Sequence, residues 1–133
     1  MLCTSFRIDP DVCFRVYDAL IEETRHYGVP TTIFASVSDQ TDVDIISHVL
    51  QEHRWPSHIE VRYMFQKGDG KRSAMAEVLR AISRRAPAPD ALLVSMDGDI
   101  LLEPGTLERS LSFFALRDDL GALTTNNLSL IHI

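Results

Sequence analysis

Apolar positions along the chain switch between two spacings, and the switches mark out its elements. Leu2 to Ile8 is a mostly apolar run that predicts a short strand. Asp9-Pro10 then opens a helix, because Asp caps well and Pro suits the first helical position. Val12, Val16 and Leu20 recur at a spacing of four, as do Cys13, Tyr17 and Ile21, which gives one apolar helical face. Gly28 and Pro30 close that helix. Thr31 to Val37 is β-branched and apolar, hence a strand.

Val43, Ile46, Val49 and Leu50 form a second helical stripe, which stops before Pro56. Ile59, Val61, Tyr63 and Phe65 alternate, so a strand with one buried face is expected there. After a polar turn at Lys67-Gly68-Asp69-Gly70, Met75, Val78, Leu79 and Ile82 define a third helix. Ala86-Pro87-Ala88-Pro89-Asp90 is a linker. Ala91 to Met96 predicts a buried strand, Pro104-Gly105 introduces a helix carrying Leu107, Leu111 and Phe114, and Gly121 to Thr125 predicts one more strand.

Strands alternating with helices specify an α/β layer fold with a mainly parallel sheet. In such sheets ligands gather at the carboxyl ends of the strands. The informative polar residues are therefore those that directly follow each strand.

Composition narrows the classes. The 133 residues suit one domain, with 45% apolar and 24% charged residues, as expected of a globular chain. A net charge of -6 with no basic run speaks against a general nucleic-acid binder. No apolar run approaches the ~20 residues that cross a bilayer, and no secretory leader pattern opens the chain. Cys3 and Cys13 are read as reduced core thiols. The five histidines share no zinc-ligand spacing. Trp55, beside Pro56, is read as loop packing.

The sharpest candidate for chemistry is Met96-Asp97-Gly98-Asp99, two carboxylates one residue apart after a buried strand. Such a pair can hold Mg²⁺ or Mn²⁺ when diphosphate oxygens complete the shell, although Asp and Gly after a strand also make an ordinary turn. The second candidate is Gly68-Asp69-Gly70-Lys71-Arg72-Ser73. Its glycines admit a ligand close to the backbone, and the following helix start favours anions. It is not a Walker loop, since Phe65 stands where a glycine is needed and Arg72 where Ser or Thr is needed. A solvated basic turn is the plainer alternative. Third comes Ser36-Val37-Ser38-Asp39-Gln40-Thr41-Asp42, where Asp39 is a candidate for base or ribose contact and Asp42 is expected to cap the next helix.

Together, the run from Lys67 to Ala76, the run from Asp90 to Asp99, Leu102-Glu103-Pro104-Gly105-Thr106-Leu107 and Leu120 to Asn127 resemble family-2 glycosyltransferases. The likeness is greatest to the bacterial alginate polymerases, through Phe6-Arg7-Ile8 and Ala35-Ser36-Val37, and it covers residues 2–127. It implies a GT-A, Rossmann-like nucleotide-diphospho-sugar transferase fold, incomplete here. It also implies transfer, with inversion, from a nucleotide-diphospho-sugar to a growing polysaccharide. The alginate-type donor is GDP-mannuronate; a UDP-sugar is the alternative.

Carried across, Asp97 and Asp99 would hold Mg²⁺ or Mn²⁺, with Asp97 also at the donor. Lys71 would contact donor phosphate, with Arg72 beside it. Many relatives place two adjacent acidic residues after the second strand, whereas this chain has Val37-Ser38-Asp39, which leaves Asp39 as the candidate base contact. The family's catalytic-base motif, acceptor-site aromatic motif and membrane helices have no counterpart in this sequence. The resemblance thus implies a donor-binding part over residues 1–127, inactive alone, of a protein embedded at the cytoplasmic face of a bacterial inner membrane. Leu128 to Ile133 matches what a transposase-adapter end encodes, so it is expected to be a non-native tail. Two other classes compete. A haloacid-dehalogenase-type phosphatase wants Thr or Val where Leu101 stands; a non-catalytic nucleotide-binding module fits the fragment as it is.

Overall fold

The computed structural model describes residues 1–5, 7–68 and 70–125. Four strands and four helices alternate: β1 (Leu2–Thr4), α1 (Pro10–Tyr27), β2 (Thr31–Val37), α2 (Gln40–Glu52), β3 (Ile59–Phe65), α3 (Lys71–Arg84), β4 (Ser95–Asp97) and α4 (Thr106–Leu116). All strand pairs are parallel, in the order β3-β2-β1-β4.

That order follows from chain direction. From β1 to β3 the chain steps one way across the sheet; from β3 to β4 it steps back over β2 and β1. Crossovers of one hand put helices on opposite faces when the direction reverses. Accordingly, α1 and α2 pack on the face made by Cys3, Ile33, Ala35, Val37 and Met96. The α3 residue Val78 packs with Leu2 and Phe34 on the other face. The reversal lies between β1 and β4, where an open parallel sheet leaves its ligand crevice.

The helix ends read from the sequence hold well. Asp9 caps α1, its carboxylate accepting from Asp11 N at 2.9 Å, and Gly28 closes it with φ 72°. Cys3 and Cys13 are both free thiols in the core. Burial pushes them up to about 11 and about 12.

Four expectations need correction. The first strand ends at Thr4 rather than Ile8, because Arg7 takes a left-handed backbone (φ 49°) that turns the chain toward Asp9. The strand expected over Ala91–Met96 is Ser95–Asp97. Its register sets Ser95 opposite Leu2, so residues 91–93 lie beyond the reach of β1, and Leu92 and Leu93 stand about half exposed. Residues 121–125 form no strand; they are exposed, and no described strand lies outside β4 to receive them. Phe65, expected on a buried face, is 51% exposed as the last residue of an edge strand. The expected non-native tail lies outside the described residues.

No helix among the described residues is long and apolar enough to cross a membrane.

Candidate functional site

At the carboxyl edge of the sheet, between the ends of β1 and β4, lies a cavity of about 350 Å³. Arg7, Gln66, Lys71, Asp97, Gly98 and Asp99 contribute to its wall. Each arrives there for a local reason. Asp97 is the last residue of β4. Gly98 N donates to Thr4 O at 2.8 Å, which presses the turn against β1. A Cβ at Gly98 would stand 2.5 Å from Ser5 Oγ and 2.9 Å from Ser5 Cα. Real Cβ atoms do not approach backbone so closely, so the middle residue of Asp97-Gly98-Asp99 must be glycine if both flanking carboxylates are to face the cavity. The motif is thus shaped by packing as well as by chemistry.

Lys71 comes from the far side of the cavity as the first residue of α3. Its ammonium lies 2.5 Å from Asp97 Oδ1, with both side chains about half exposed. The glycine-rich turn and the acidic turn therefore open on one edge, as expected of a shared site. Gly68 and Gly70 both have φ 87°, a conformation that favours glycine and brings the chain into α3. Among the described residues no side chain caps α3, and its first turn carries no acidic residue. An anion would be favoured there.

The other two candidates stand elsewhere. Arg72 is exposed and is not part of the cavity wall. Asp39 is also outside that wall, and it caps α2: its Oδ1 accepts from Thr41 N at 2.8 Å and from Asp42 N at 3.4 Å. The cap expected at Asp42 is therefore Asp39. Asp42 sits in the first turn and reaches back, Oδ2 accepting from Ser38 N at 2.7 Å. This reciprocal arrangement satisfies the backbone donors that any helix start leaves open.

Three wall residues were not singled out from the sequence. Gln66 directly follows β3; its Nε2 donates to Ser5 O and, at 3.3 Å, to Ser36 O, tying the ends of β1 and β2. Position after a strand was the available signal. Arg7 was hidden because the first strand was read too long. Its backbone N donates to Ser38 Oγ at 3.1 Å. Thr4 was hidden for the same reason. Its side-chain oxygen is buried and has no hydrogen-bond partner among the described residues, and the residue belongs to the cavity wall.

A divalent cation suits this donor set. Asp97 and Asp99 both present carboxylates on the cavity wall. Carboxylate and hydroxyl oxygens are the hard ligands that Mg²⁺ and Mn²⁺ take. Among the described residues, no three His, Cys, Asp or Glu side chains gather into a self-sufficient metal site. Ligand oxygens would have to complete the shell.

Comparison with known proteins gives the family of the chain. Residues 1–132 match the family model described as glycosyltransferase like family 2. The chain is 33% identical over 126 residues to the protein named glycosyltransferase alg8 of Pseudomonas syringae pv. tomato, covering 95% of this chain and 26% of that relative. It is 32% identical over 114 residues to the protein of the same name from Azotobacter vinelandii, covering 86% and 23%. The chain thus spans about a quarter of the length of these relatives. No solved structure matches it.

Proposed function

Given that this chain belongs to glycosyltransferase family 2, we propose that it forms the donor-binding part of an enzyme that builds a polysaccharide from a nucleotide-diphospho-sugar. The donor in this reading is GDP-mannuronate, and the sugar is transferred with inversion to the growing chain. The observation that carries the reading is the meeting of Lys71 with Asp97 at the mouth of a cavity at the sheet's reversal point.

The division of labour follows from charge. Asp97 and Asp99 would hold Mg²⁺ or Mn²⁺, which neutralises charge on the leaving diphosphate when bound. Lys71 supplies a further positive charge at the phosphate, and the start of α3 adds its dipole in the same direction. Gly98 lets both carboxylates approach. Gln66 fixes the strand ends that form the floor. Deprotonating the acceptor hydroxyl needs a positioned carboxylate. This reading assigns that base, the acceptor site and the membrane segments to the rest of a longer protein, so residues 1–133 alone are expected to bind donor without polymerising sugar.

Calorimetry with GDP and with UDP, each with Mn²⁺ and with a chelator, tests the reading. Mn²⁺ should tighten nucleotide binding, and Asp99→Asn should remove about tenfold of that gain, near 1.4 kcal/mol, without lowering the melting temperature. Equal Mn²⁺-dependent binding by both proteins would sink the role of Asp99. Preference for GDP over UDP supports the alginate-type donor, and the reverse supports a UDP-sugar. Asp39→Ala serves as a further arm. If Asp39 only caps α2, stability falls by about 1 kcal/mol and the base preference stays; if it reads the base, the preference changes.

A further inference from the structure

We propose that Lys71 is a resident counter-ion which keeps the metal site on Asp97 closed until a diphosphate draws the lysine away. The inference rests on the reading of Asp97 and Asp99 as the cation site, and adds to it an order of events. The Lys71 ammonium lies 2.5 Å from Asp97 Oδ1. A divalent cation on the same oxygen would stand within a few ångströms of that ammonium. Two positive charges at such a distance repel, and a half-exposed setting only partly screens them. One cation must leave Asp97 for the other to bind.

The local structure gives the lysine somewhere to go. Lys71 is the first residue of α3, whose start carries no capping side chain among the described residues and no acidic residue in its first turn. A diphosphate in the cavity would meet that helix start and the ammonium together. Thr4, 6% exposed, belongs to the cavity wall, and its buried hydroxyl has no partner among the described residues.

The consequence is a coupling. Metal alone must displace the lysine, and diphosphate alone must pull it from Asp97. Together they exchange partners, with Lys71 passing to phosphate and Asp97 to metal. Each ligand therefore tightens the other, by the same factor in both directions.

The test is Mn²⁺ binding to the full chain, followed by electron paramagnetic resonance of free Mn²⁺, with and without GDP or UDP. Removing the competing charge in Lys71→Met should tighten Mn²⁺ binding without nucleotide by about two- to fivefold, the factor expected of an exposed ion pair. The same change should weaken nucleotide binding and shrink the coupling. Lys71→Arg keeps the charge and should hold Mn²⁺ alone at the native affinity. If Lys71→Met leaves Mn²⁺ binding unchanged or weaker, while Asp97→Asn abolishes it, the counter-ion role is overturned and the donor-site reading stands. If Asp97→Asn binds Mn²⁺ as well as the native chain, or no variant binds it, the cation site itself is wrong and the exchange falls with it. Circular dichroism of each variant separates these outcomes from loss of fold.

Discussion

Helices α1 and α3 both follow a parallel strand from the carboxyl edge of one sheet, yet their polar groups are used in opposite ways. α1 is committed inward and sideways. Cys13, Val16, Tyr17, Leu20 and Ile21 fill the core, and Asp9 caps its start. Its Asp18 and Glu22 carboxylates meet His53, the residue that follows α2, at 2.7 and 3.2 Å. Buried Glu23 accepts from Gly105 N at 2.6 Å and Leu107 N at 3.1 Å, so α1 caps α4 from across the fold. α3, by contrast, buries Ala74 and Val78, has no capping side chain among the described residues, and places its first residue on the cavity wall. The contrast teaches that unspent hydrogen-bonding capacity is local. Among the described residues, carboxylates close the starts of α1, α2 and α4, and no side chain closes the start of α3 beside the cavity.

The comparison breaks most visibly in alkali if α1 is not the structural centre. Cys3 and Cys13 sit at about 11 and about 12 in the fold, above the ordinary thiol value of 9, because burial disfavours the thiolate. Burial pushes Tyr17, which packs beside them, upward as well. The folded state therefore holds these protons more tightly than the unfolded one. Their contribution is whole below pH 9 and is lost as pH climbs through 11 to 12. Each unit of displacement is worth about 1.4 kcal/mol, so by pH 11 the two thiols together withdraw on the order of 5 kcal/mol. Urea midpoints at pH 8, 9.5 and 11 should fall steeply above 9, and Cys13→Ala should flatten that fall. A midpoint that holds constant to pH 11 would show that the thiols ionise freely in the fold.

The next largest effect sharpens the contrast between capped and uncapped starts. Glu23→Ala leaves two backbone N–H groups at the start of α4 without their acceptor, and Gly105 has no side chain to replace it. A loss of about 2–3 kcal/mol is expected, from the cost of unsatisfied buried donors. Glu23→Gln keeps an acceptor oxygen and should lose less. Thermal melts of both variants read this directly. A loss below about 0.5 kcal/mol for Glu23→Ala would mean that water takes over the cap and that α1 is less committed than its contacts indicate.

The same contrast explains how much could be read from the sequence. Helices with carboxylate or glycine ends and a clear apolar stripe were legible, because capping and periodicity are local properties. The bounds of α1 follow from Asp9, Pro10 and Gly28 almost by inspection. The meeting of Lys71 with Asp97 was legible only as topology: both follow strands, and parallel strands end on one edge. Long-range partnerships were not legible. Nothing near Glu23 in sequence announces that it caps a helix 82 residues away. Nor does the apolar run Ala91–Met96 reveal that its partner strand reaches only from Leu2 to Thr4. The length of a strand is set by its neighbour, which composition does not disclose. Asp39 and Asp42 show the finer limit: the sequence marks two carboxylates near a helix start, and only geometry says which one caps.

The smallest expected effect is also the most telling about α3. If its start is kept for a ligand, breaking the Lys71–Asp97 pair should cost the fold almost nothing. The pair is short, but both side chains are about half exposed, and water and salt screen such pairs strongly. A double-mutant cycle of Lys71→Ala and Asp97→Ala, read by urea unfolding in low salt, should give a coupling of about 0.2–1 kcal/mol that fades as salt is raised. Neither single change should approach the cost of Glu23→Ala, although both carboxylates accept at a helix start or its first side chain. The reason lies in what is left behind. Removing Glu23 strands buried N–H groups, whereas removing Asp97 leaves Lys71 to water. A coupling above about 2 kcal/mol that persists in high salt would mean that Lys71 and Asp97 are a structural clamp. α3 would then be committed in the same way as α1, and the difference between the two helices would be one of exposure alone.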